Sequence, residues 1–244
     1  MKIIVAADYD EMSGLAAQTV AQSIKANPSA VLGLPTGSTP LGMYRNLIKM
    51  HKEGSLSFKN VTTFNLDEYV GLQKTHVNSF RYFMYENFFN HIDIQEGNIN
   101  IPDGNSKDPE KECIAYEAKI TNAGGIDLMV LGLGNNGHIG FNEPAGHFPA
   151  STHVAELDES TVQANARFFE SIDEVPRFSI TMGIGSIMRC RRILLLAGGQ
   201  VKAPAIRGAL EGPVTPALPG SVLQFHPNVT VVLDTGAASL LTSA

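Results

Sequence analysis

Cysteine is scarce in the sequence. Only Cys113 and Cys190 are present, far apart in a chain of 244 residues. Neither belongs to a CxxC pair or to a spacing typical of metal ligands. The sequence therefore predicts two free thiols in a reducing compartment.

Long apolar runs and clusters of basic residues are also absent. Runs such as RILLLAGG are far shorter than the roughly 20 residues of a membrane helix. The N-terminus, MKIIVAADYDEM, has acids directly after a short apolar run and does not fit a signal peptide. The net charge is −6 without a Lys/Arg cluster, so nucleic acid is not an expected partner. We expect a cytoplasmic protein in which an anionic ligand is held by a local site rather than by the overall field.

What the sequence does contain is an alternation of strand and helix patterns. Strands are predicted at 2–7, 30–34, 61–66, 126–133 and in FSITMG, RILLLAGG and NVTVVLD, and helices at 10–26, 40–53, 78–89, 109–123 and near 202–210. Such alternation predicts an α/β fold, with a parallel sheet covered by helices on both faces. No repeat or linker divides the chain, so residues 1–244 are expected to form a single domain. The irregular stretch 135–176 interrupts the alternation, which is typical of a functional segment.

The run GLPTGSTP at 33–40 joins a predicted strand to a predicted helix. Pro40 fits the first helical position, which makes Thr39 the expected N-cap. Gly37 allows a tight turn close to a ligand. Free N–H groups and the hydroxyls of Ser38 and Thr39 would then lie at the positive end of a helix, where phosphate binds. No GK[ST] follows, so this is not a nucleotide P-loop; a capped loop without a ligand is the alternative.

Two adjacent acids, Asp67 and Glu68, lie in the run FNLDEYVGL at the end of the third predicted strand. In open α/β sheets, ligands bind at the carboxyl ends of the strands. The pair is therefore a candidate catalytic feature, and a solvated turn is the alternative.

The glycine-rich run LGLGNNGHIGFNEP at 131–144 follows an almost wholly apolar strand. Its first part matches the dinucleotide-binding pattern GxGxxG, and Glu156 lies at about the distance from these glycines at which such sites carry an acid that binds the ribose. A dinucleotide site, however, also requires a helix directly after the glycines. The later Gly and Pro residues leave no room for that helix. We interpret the run as a close approach to a small substrate, with His138 and Glu143 as a candidate acid–base pair. No HExxH or similar spacing accompanies His138, so no metal is expected.

In this order, the runs PTGSTP, LDEYVGL and GHIGFNEP resemble the signatures of the glucosamine-6-phosphate deaminase family, in its short form. NARFF at 165–169 and the region of Lys202 extend the resemblance over nearly the whole chain. The resemblance implies a three-layer α/β/α sandwich with a mainly parallel, Rossmann-like sheet. It also implies an enzyme of amino-sugar catabolism that converts glucosamine 6-phosphate and water into fructose 6-phosphate and ammonia without a cofactor.

The resemblance further implies roles for individual residues. His138 matches the family's ring-opening histidine, Glu143 its carboxylate partner, and Asp67 the base that moves the C2 proton to C1. Phosphate contacts carry over to Gly37, Ser38, Thr39, Arg167 and Lys202. Asn136 stands where some family members have aspartate. An amide can orient the histidine ring by hydrogen bonding but cannot stabilise an imidazolium by charge.

Two other functions remain open at this point. The related 6-phosphogluconolactonases have a similar glycine loop and a similar GxGxxGH segment, although the continuation GFNEP favours the deaminase. A non-catalytic sugar-phosphate sensor would carry a DNA-binding segment, which the sequence lacks, and here the candidate catalytic positions are filled. The expected partner is a small sugar phosphate, and a homo-oligomer is possible.

Two further expectations concern motion and control. The polar segment at about 158–176 carries Arg167 beside Phe168 and Phe169, and it is expected to form a lid over the phosphate; a helix packed on the core is the alternative. Family members controlled by N-acetylglucosamine 6-phosphate have a longer C-terminus. This chain ends at Ala244, soon after its last strand, so simple hyperbolic kinetics are expected.

Overall fold

A computed structural model describes residues 1–242 of the protein. Its strands are β1 (Lys2–Ala6), β2 (Val31–Leu34), β3 (Thr62–Asn65), β4 (Asp67–Tyr69), β5 (Ile99–Asn100), β6 (Leu128–Gly132), β7 (His153–Glu156), β8 (Phe178–Thr181), β9 (Ile193–Ala197) and β10 (Val229–Asp234). Seven of them form a central sheet in the order β1-β10-β9-β6-β2-β3-β5. All neighbouring pairs in this sheet are parallel, as the alternation predicts.

Helices cover both faces of the central sheet. They are α1 (Tyr9–Ala26), α2 (Leu41–Lys52), α3 (Phe80–Asn87), α4 (Pro109–Asn122), α5 (Glu159–Asn165), α6 (Ile184–Met188), α7 (Ala203–Glu211) and α8 (Thr235–Ala238). Among residues 1–242, no helix has the length and apolar character needed to cross a membrane.

The apolar core is divided by the sheet into two layers. Met129 and Leu131 of β6 pack with α4, α6, α7 and α8 on one face. Leu128 and Val130 of the same strand pack with α1, α2 and α3 on the other. Because successive side chains of a strand point to opposite faces, an apolar run such as β6 is buried on both. The predicted three-layer α/β/α sandwich is confirmed.

A second, smaller sheet lies outside this sandwich. It contains β4, β8 and β7 in that order, with both pairs antiparallel. The run FSITMG does form a strand, β8, but this strand does not join the parallel sheet. The stretch 135–176, expected to be irregular, contains β7 and α5. An apolar pattern in the sequence can predict that a segment is a strand. It cannot predict which strand it pairs with, because pairing depends on contacts between residues that are distant in sequence.

The start of α2 differs from the prediction by one residue. The N-cap is Pro40, whose φ of −81° and ψ of −5° are already helical, and no side chain caps the helix. The assignment of Thr39 as N-cap is therefore wrong. The first N–H groups of α2 consequently have no side-chain partner from the preceding loop.

Both cysteines are buried and free. This confirms the predicted free thiols.

Candidate active site

A cavity of about 780 Å³ opens where β2, β3, β6 and β9 end. Its lining includes eight of the predicted site residues: Gly37, Ser38, Thr39, Asp67, Asn136, His138, Arg167 and Lys202. The ninth, Glu143, lies behind His138 and touches its ring nitrogen. Residues from five separate parts of the sequence thus meet at the carboxyl edge of the parallel sheet, where α/β folds bind ligands.

One part of the cavity wall is the loop between β2 and α2. Gly37 has a φ of +94°, a conformation that glycine adopts without strain. Among residues 1–242, the N–H groups of Gly37, Ser38 and Thr39 find no hydrogen-bond acceptor. These donors precede the N-terminus of α2, so the loop is suited to bind an anion.

Two cations line the same cavity. Lys202 lies in the turn before α7, and Arg167 lies in the turn after α5 with its guanidinium carbon 4.7 Å from the centre of the Phe168 ring. Neither cation forms an ion pair within the described chain. Burial lowers the pKa of Lys202, and the charge of Arg167 lowers it further. An anion bound between the two would relieve both effects.

His138, Glu143 and Asn136 form a connected polar cluster. Nδ1 of His138 lies 3.1 Å from Oε2 of Glu143. Asn136 joins the other two residues, because its amide donates to Oε2 of Glu143 at 2.7 Å and its oxygen accepts from the N–H of His138 at 3.2 Å. Asn136 is therefore hydrogen-bonded to both members of the pair, a geometry that suits the orienting role expected for an amide at this position.

The charge of Glu143 is maintained by its neighbours. Burial alone would raise the pKa of Glu143, but hydrogen bonds, above all the one with His138 and also the one from Asn136, hold it below its ordinary value. Because an ionised carboxylate can only accept, Glu143 accepts a hydrogen bond from Nδ1–H of His138. This leaves Nε2 of the ring able to exchange a proton with a ligand in the cavity.

The ring of His138 is packed closely on the glycine-rich run. A Cβ atom at Gly134 would lie 2.5 Å from three atoms of this ring. Only glycine leaves room for the ring at that position. The glycine is therefore needed here for the packing of His138, and the approach of the run to a substrate stays a prediction.

Asp67 borders the cavity from β4. Its side chain is buried, and burial together with the charge of Glu68 raises its pKa to about 8. Gly140 lies beside it with a φ of +57°, and a Cβ atom there would be 3.6 Å from Oδ2 of Asp67. The carboxyl group is thus largely buried, with a pKa close to neutral pH, as suits a group that transfers protons.

Glu68 serves a different structure. Its carboxylate accepts hydrogen bonds of 2.9 Å from the backbone N–H groups of Tyr69, Phe80 and Arg81. The last two donors begin α3, so Glu68 stabilises the N-terminus of that helix. Its pKa is raised by burial, an effect that these hydrogen bonds oppose.

Tyr69 and Asn165 line the cavity but were not among the predicted site residues. Asn165 donates to the Tyr69 hydroxyl at 2.9 Å. A signal for Tyr69 was present, because residues i and i+2 of a strand share a face. In a strand over 67–69, Tyr69 lies on the same face as Asp67, and Glu68 lies on the opposite face.

The segment 158–176 covers part of the cavity. It is attached through Val162, which is fully buried in a small apolar cluster with Tyr69. Phe169 packs edge-on against Tyr69 with ring centres 6.1 Å apart, whereas Phe168 is 53% exposed. The two phenylalanines thus have different environments. Movement of the segment stays a prediction.

Comparison with known proteins agrees with this geometry. Residues 7–232 match the family described as Glucosamine-6-phosphate isomerases/6-phosphogluconolactonase. The glucosamine-6-phosphate deaminase of Thermoanaerobacter pseudethanolicus is 54% identical over 241 residues, which cover 99% of this chain and 95% of that protein. The enzyme of the same name from Clostridium perfringens (strain ATCC 13124) is 52% identical over 241 residues, with 99% and 100% covered.

Solved structures show the same fold. A monomeric glucosamine-6-phosphate deaminase is 49% identical, with a TM-score of 0.97 over 99% of this chain and 100% of that chain. The 6-phosphogluconolactonase of Trypanosoma cruzi is 23% identical, with a TM-score of 0.77 over 99% and 97%; this likeness concerns the fold alone. The chain belongs to the glucosamine-6-phosphate isomerase/6-phosphogluconolactonase family.

Proposed function

We propose that the protein is a glucosamine-6-phosphate deaminase, which converts glucosamine 6-phosphate and water into fructose 6-phosphate and ammonia. One observation carries the proposal: a single cavity combines an anion-binding wall with a buried carboxyl group and a histidine–carboxylate pair. A phosphorylated sugar needs the first for binding and the others for proton transfer.

The phosphate group is bound by the loop after β2 and by the two cations. The N–H groups and hydroxyls of Ser38 and Thr39 donate to phosphate oxygens, and Arg167 and Lys202 supply positive charge. Hydrogen bonds between ionised groups are about twice as strong as neutral ones. This explains how a chain with a net charge of −6 binds a dianion.

His138 opens the sugar ring. Its Nε2 accepts the proton of the anomeric hydroxyl and returns a proton to the ring oxygen, which leaves the aldehyde at C1. The imidazolium formed in between is stabilised by the charge of Glu143, whose hydrogen bond to Nδ1 persists throughout. Asn136 holds Glu143 in position and contributes no charge.

Asp67 moves the proton that changes the aldose into the ketose. Its carboxylate removes the proton from C2 while the aldehyde oxygen O1 takes up a proton released by the ammonium group of the substrate, which gives an enolamine. Asp67 then delivers its proton to C1, so that the enolamine becomes a protonated imine at C2. Water then adds to the imine, ammonia leaves, and the ketone of fructose 6-phosphate remains. The carboxylate is regenerated, so protons balance over the cycle.

The deaminase is favoured over the lactonase by two observations. The curated relatives that are 52–54% identical are named deaminases, whereas the lactonase structure is 23% identical. The run GFNEP supplies Glu143, which pairs with His138. We further propose a cytoplasmic enzyme without a required metal. Association into oligomers stays open, since a similar solved deaminase is monomeric.

The test is direct. The purified protein is incubated with glucosamine 6-phosphate, and ammonia and fructose 6-phosphate are measured; both should form in equal amounts, with and without a metal chelator. Glucosamine without phosphate should react far more slowly, and Asp67→Asn serves as the inactive control. Rapid hydrolysis of 6-phosphogluconolactone without ammonia release would replace the proposal by the lactonase function.

A further inference from the structure

The side chain of Tyr9 connects α1 to the loop that forms the anion-binding wall. Its hydroxyl lies within hydrogen-bond distance of the carbonyl oxygens of Ser38 (3.1 Å) and Thr39 (3.2 Å). The same oxygen accepts a hydrogen bond of 2.8 Å from the N–H of Gly42 in α2. One hydroxyl thus contacts both the loop and the first turn of the helix that follows it.

These contacts matter because the loop has few other attachments. Gly37 has a positive φ and leaves the backbone conformationally free. Within residues 1–242, the carbonyl of Thr39 accepts from no other group, and that of Ser38 accepts otherwise only a long bond of 3.4 Å from Leu41. The tyrosine hydroxyl is therefore the main restraint on this end of the loop.

The start of the loop is held in a similar way from the other helix. Tyr44 of α2 is fully buried, and its hydroxyl donates to the carbonyl of Pro35 at 2.6 Å. Close packing of the helices brings Tyr9 to its position. A Cβ atom at Gly42 would lie 3.0 Å from Cε1 of Tyr9 and 2.1 Å from Oγ of Ser13. Glycine at this position thus lets α1 reach the loop.

We propose that Tyr9 is a positioning residue for the phosphate group of the substrate. It does not line the cavity; it acts by holding the carbonyls of Ser38 and Thr39 away from the ligand, so that the N–H groups of the loop face the anion. The inference rests on the proposed sugar-phosphate substrate and deepens it. The hydroxyl belongs to the binding of phosphate and takes no part in the proton transfers.

The substitution Tyr9→Phe tests this directly, because it keeps the ring and removes only the hydroxyl. The KM for glucosamine 6-phosphate should rise roughly three- to tenfold, the range for one hydrogen-bonding group, while kcat changes less than twofold. The affinity for inorganic phosphate, measured by calorimetry, should fall by a similar factor. The matched control is Tyr85→Phe, whose hydroxyl contacts Arg81 and Glu96 away from the cavity; it should change neither quantity.

The outcomes separate this inference from the proposed function. If Tyr9→Phe leaves both KM and the affinity for phosphate unchanged, the proposed role of Tyr9 is wrong. It is also wrong if Tyr9→Phe lowers kcat at an unchanged KM, or if the wild-type protein does not bind phosphate. If the wild type binds phosphate, Tyr9→Phe weakens that binding and no ammonia forms from glucosamine 6-phosphate, the positioning role holds and only the proposed reaction fails.

Discussion

Asp67 and Glu68 are consecutive residues of β4, yet their carboxyl groups serve different structures. Asp67 borders the cavity, whereas Glu68 accepts hydrogen bonds of 2.9 Å from the first N–H groups of α3. A strand places neighbouring side chains on opposite faces. Glu68 nevertheless affects Asp67, because the charge of Glu68 contributes to the raised pKa of Asp67.

Replacing Asp67 by asparagine should abolish most of the activity. The amide cannot accept the C2 proton, so kcat should fall at least the roughly 10²- to 10⁴-fold typical of general-base catalysis. Circular dichroism should show an unchanged fold. Turnover within a few-fold of wild type would remove Asp67 from the mechanism.

The same substitution should increase stability, and increasingly so with rising pH. In the folded protein the pKa of Asp67 is about 8, against an ordinary value of 3.8. Between these values the folded state retains a proton that the unfolded state has lost, so wild-type stability falls as the pH rises. Above pH 8, Asp67→Asn should unfold with a free energy at least about 1 kcal/mol larger, or a Tm roughly 2–4 °C higher.

Thermal unfolding of both proteins at pH 5 and pH 8.5 measures this effect. Other ionisable groups are common to the two proteins and cancel in the difference. An advantage of the asparagine variant that does not grow with pH would contradict the raised pKa of Asp67.

Glu68→Gln should move the pH dependence of catalysis. Removing the charge of Glu68 lowers the pKa of Asp67, so the proton-accepting form of Asp67 becomes available at lower pH. The rising limb of kcat/KM should therefore shift to lower pH relative to wild type. Ionisation of the substrate is identical in both profiles, so the difference reports on the enzyme.

Loss of one hydrogen bond to α3 should also lower the free energy of unfolding of this variant by about 1–3 kcal/mol. Glu96→Gln, which changes an exposed acid outside the cavity, is the control for the profile. Superimposable profiles for Glu68→Gln and wild type would show that the two carboxyl groups are not coupled.

The sequence predicted the sandwich and the grouping of the site for identifiable reasons. The run around β6 is almost wholly apolar and is typical of a strand buried on both faces. The motifs that carry Ser38, Asp67 and His138 each follow a strand, and parallel strands end at one edge. The antiparallel sheet, the hydrogen bonds of Glu68 and the contacts of Tyr9 could not be predicted, because each joins residues that are distant in sequence.

Arg167→Ala should weaken substrate binding without affecting the fold. Arg167 is exposed and lines the cavity, and a hydrogen bond to a charged group contributes about 1.5–3 kcal/mol. The KM for glucosamine 6-phosphate should rise roughly ten- to a hundredfold, with the Tm nearly unchanged. Arg177→Ala removes an exposed arginine that pairs with Glu159 outside the cavity, and it should leave KM unchanged. If the two variants have the same KM, Arg167 does not contribute to the binding of the phosphate group.

The segment 158–176 should close over bound sugar phosphate. Two asparagines attach it to the cavity rim: Asn165 donates to the Tyr69 hydroxyl at 2.9 Å, and Asn78 donates to the carbonyl of Phe168 at 2.6 Å. Each neutral hydrogen bond contributes only about 0.5–1.5 kcal/mol, so these contacts alone allow opening. A phosphate bound by Arg167 adds a stronger contact, and closure then excludes water from the enolamine.

Hydrogen exchange of the backbone amides tests this closure. Amides at 163–170 should exchange faster than those of β6 without ligand, and they should slow when fructose 6-phosphate is added. Arg167→Ala should remove the slowing by ligand. It should leave exchange in the free protein unchanged, because the guanidinium forms no ion pair with the rest of the described chain. Asn78→Ala should speed exchange in the free protein and retain the slowing with ligand. Exchange at 163–170 that is already slow and does not respond to ligand would show that α5 and the turn after it form a fixed wall of the cavity, held by Val162 and Phe169.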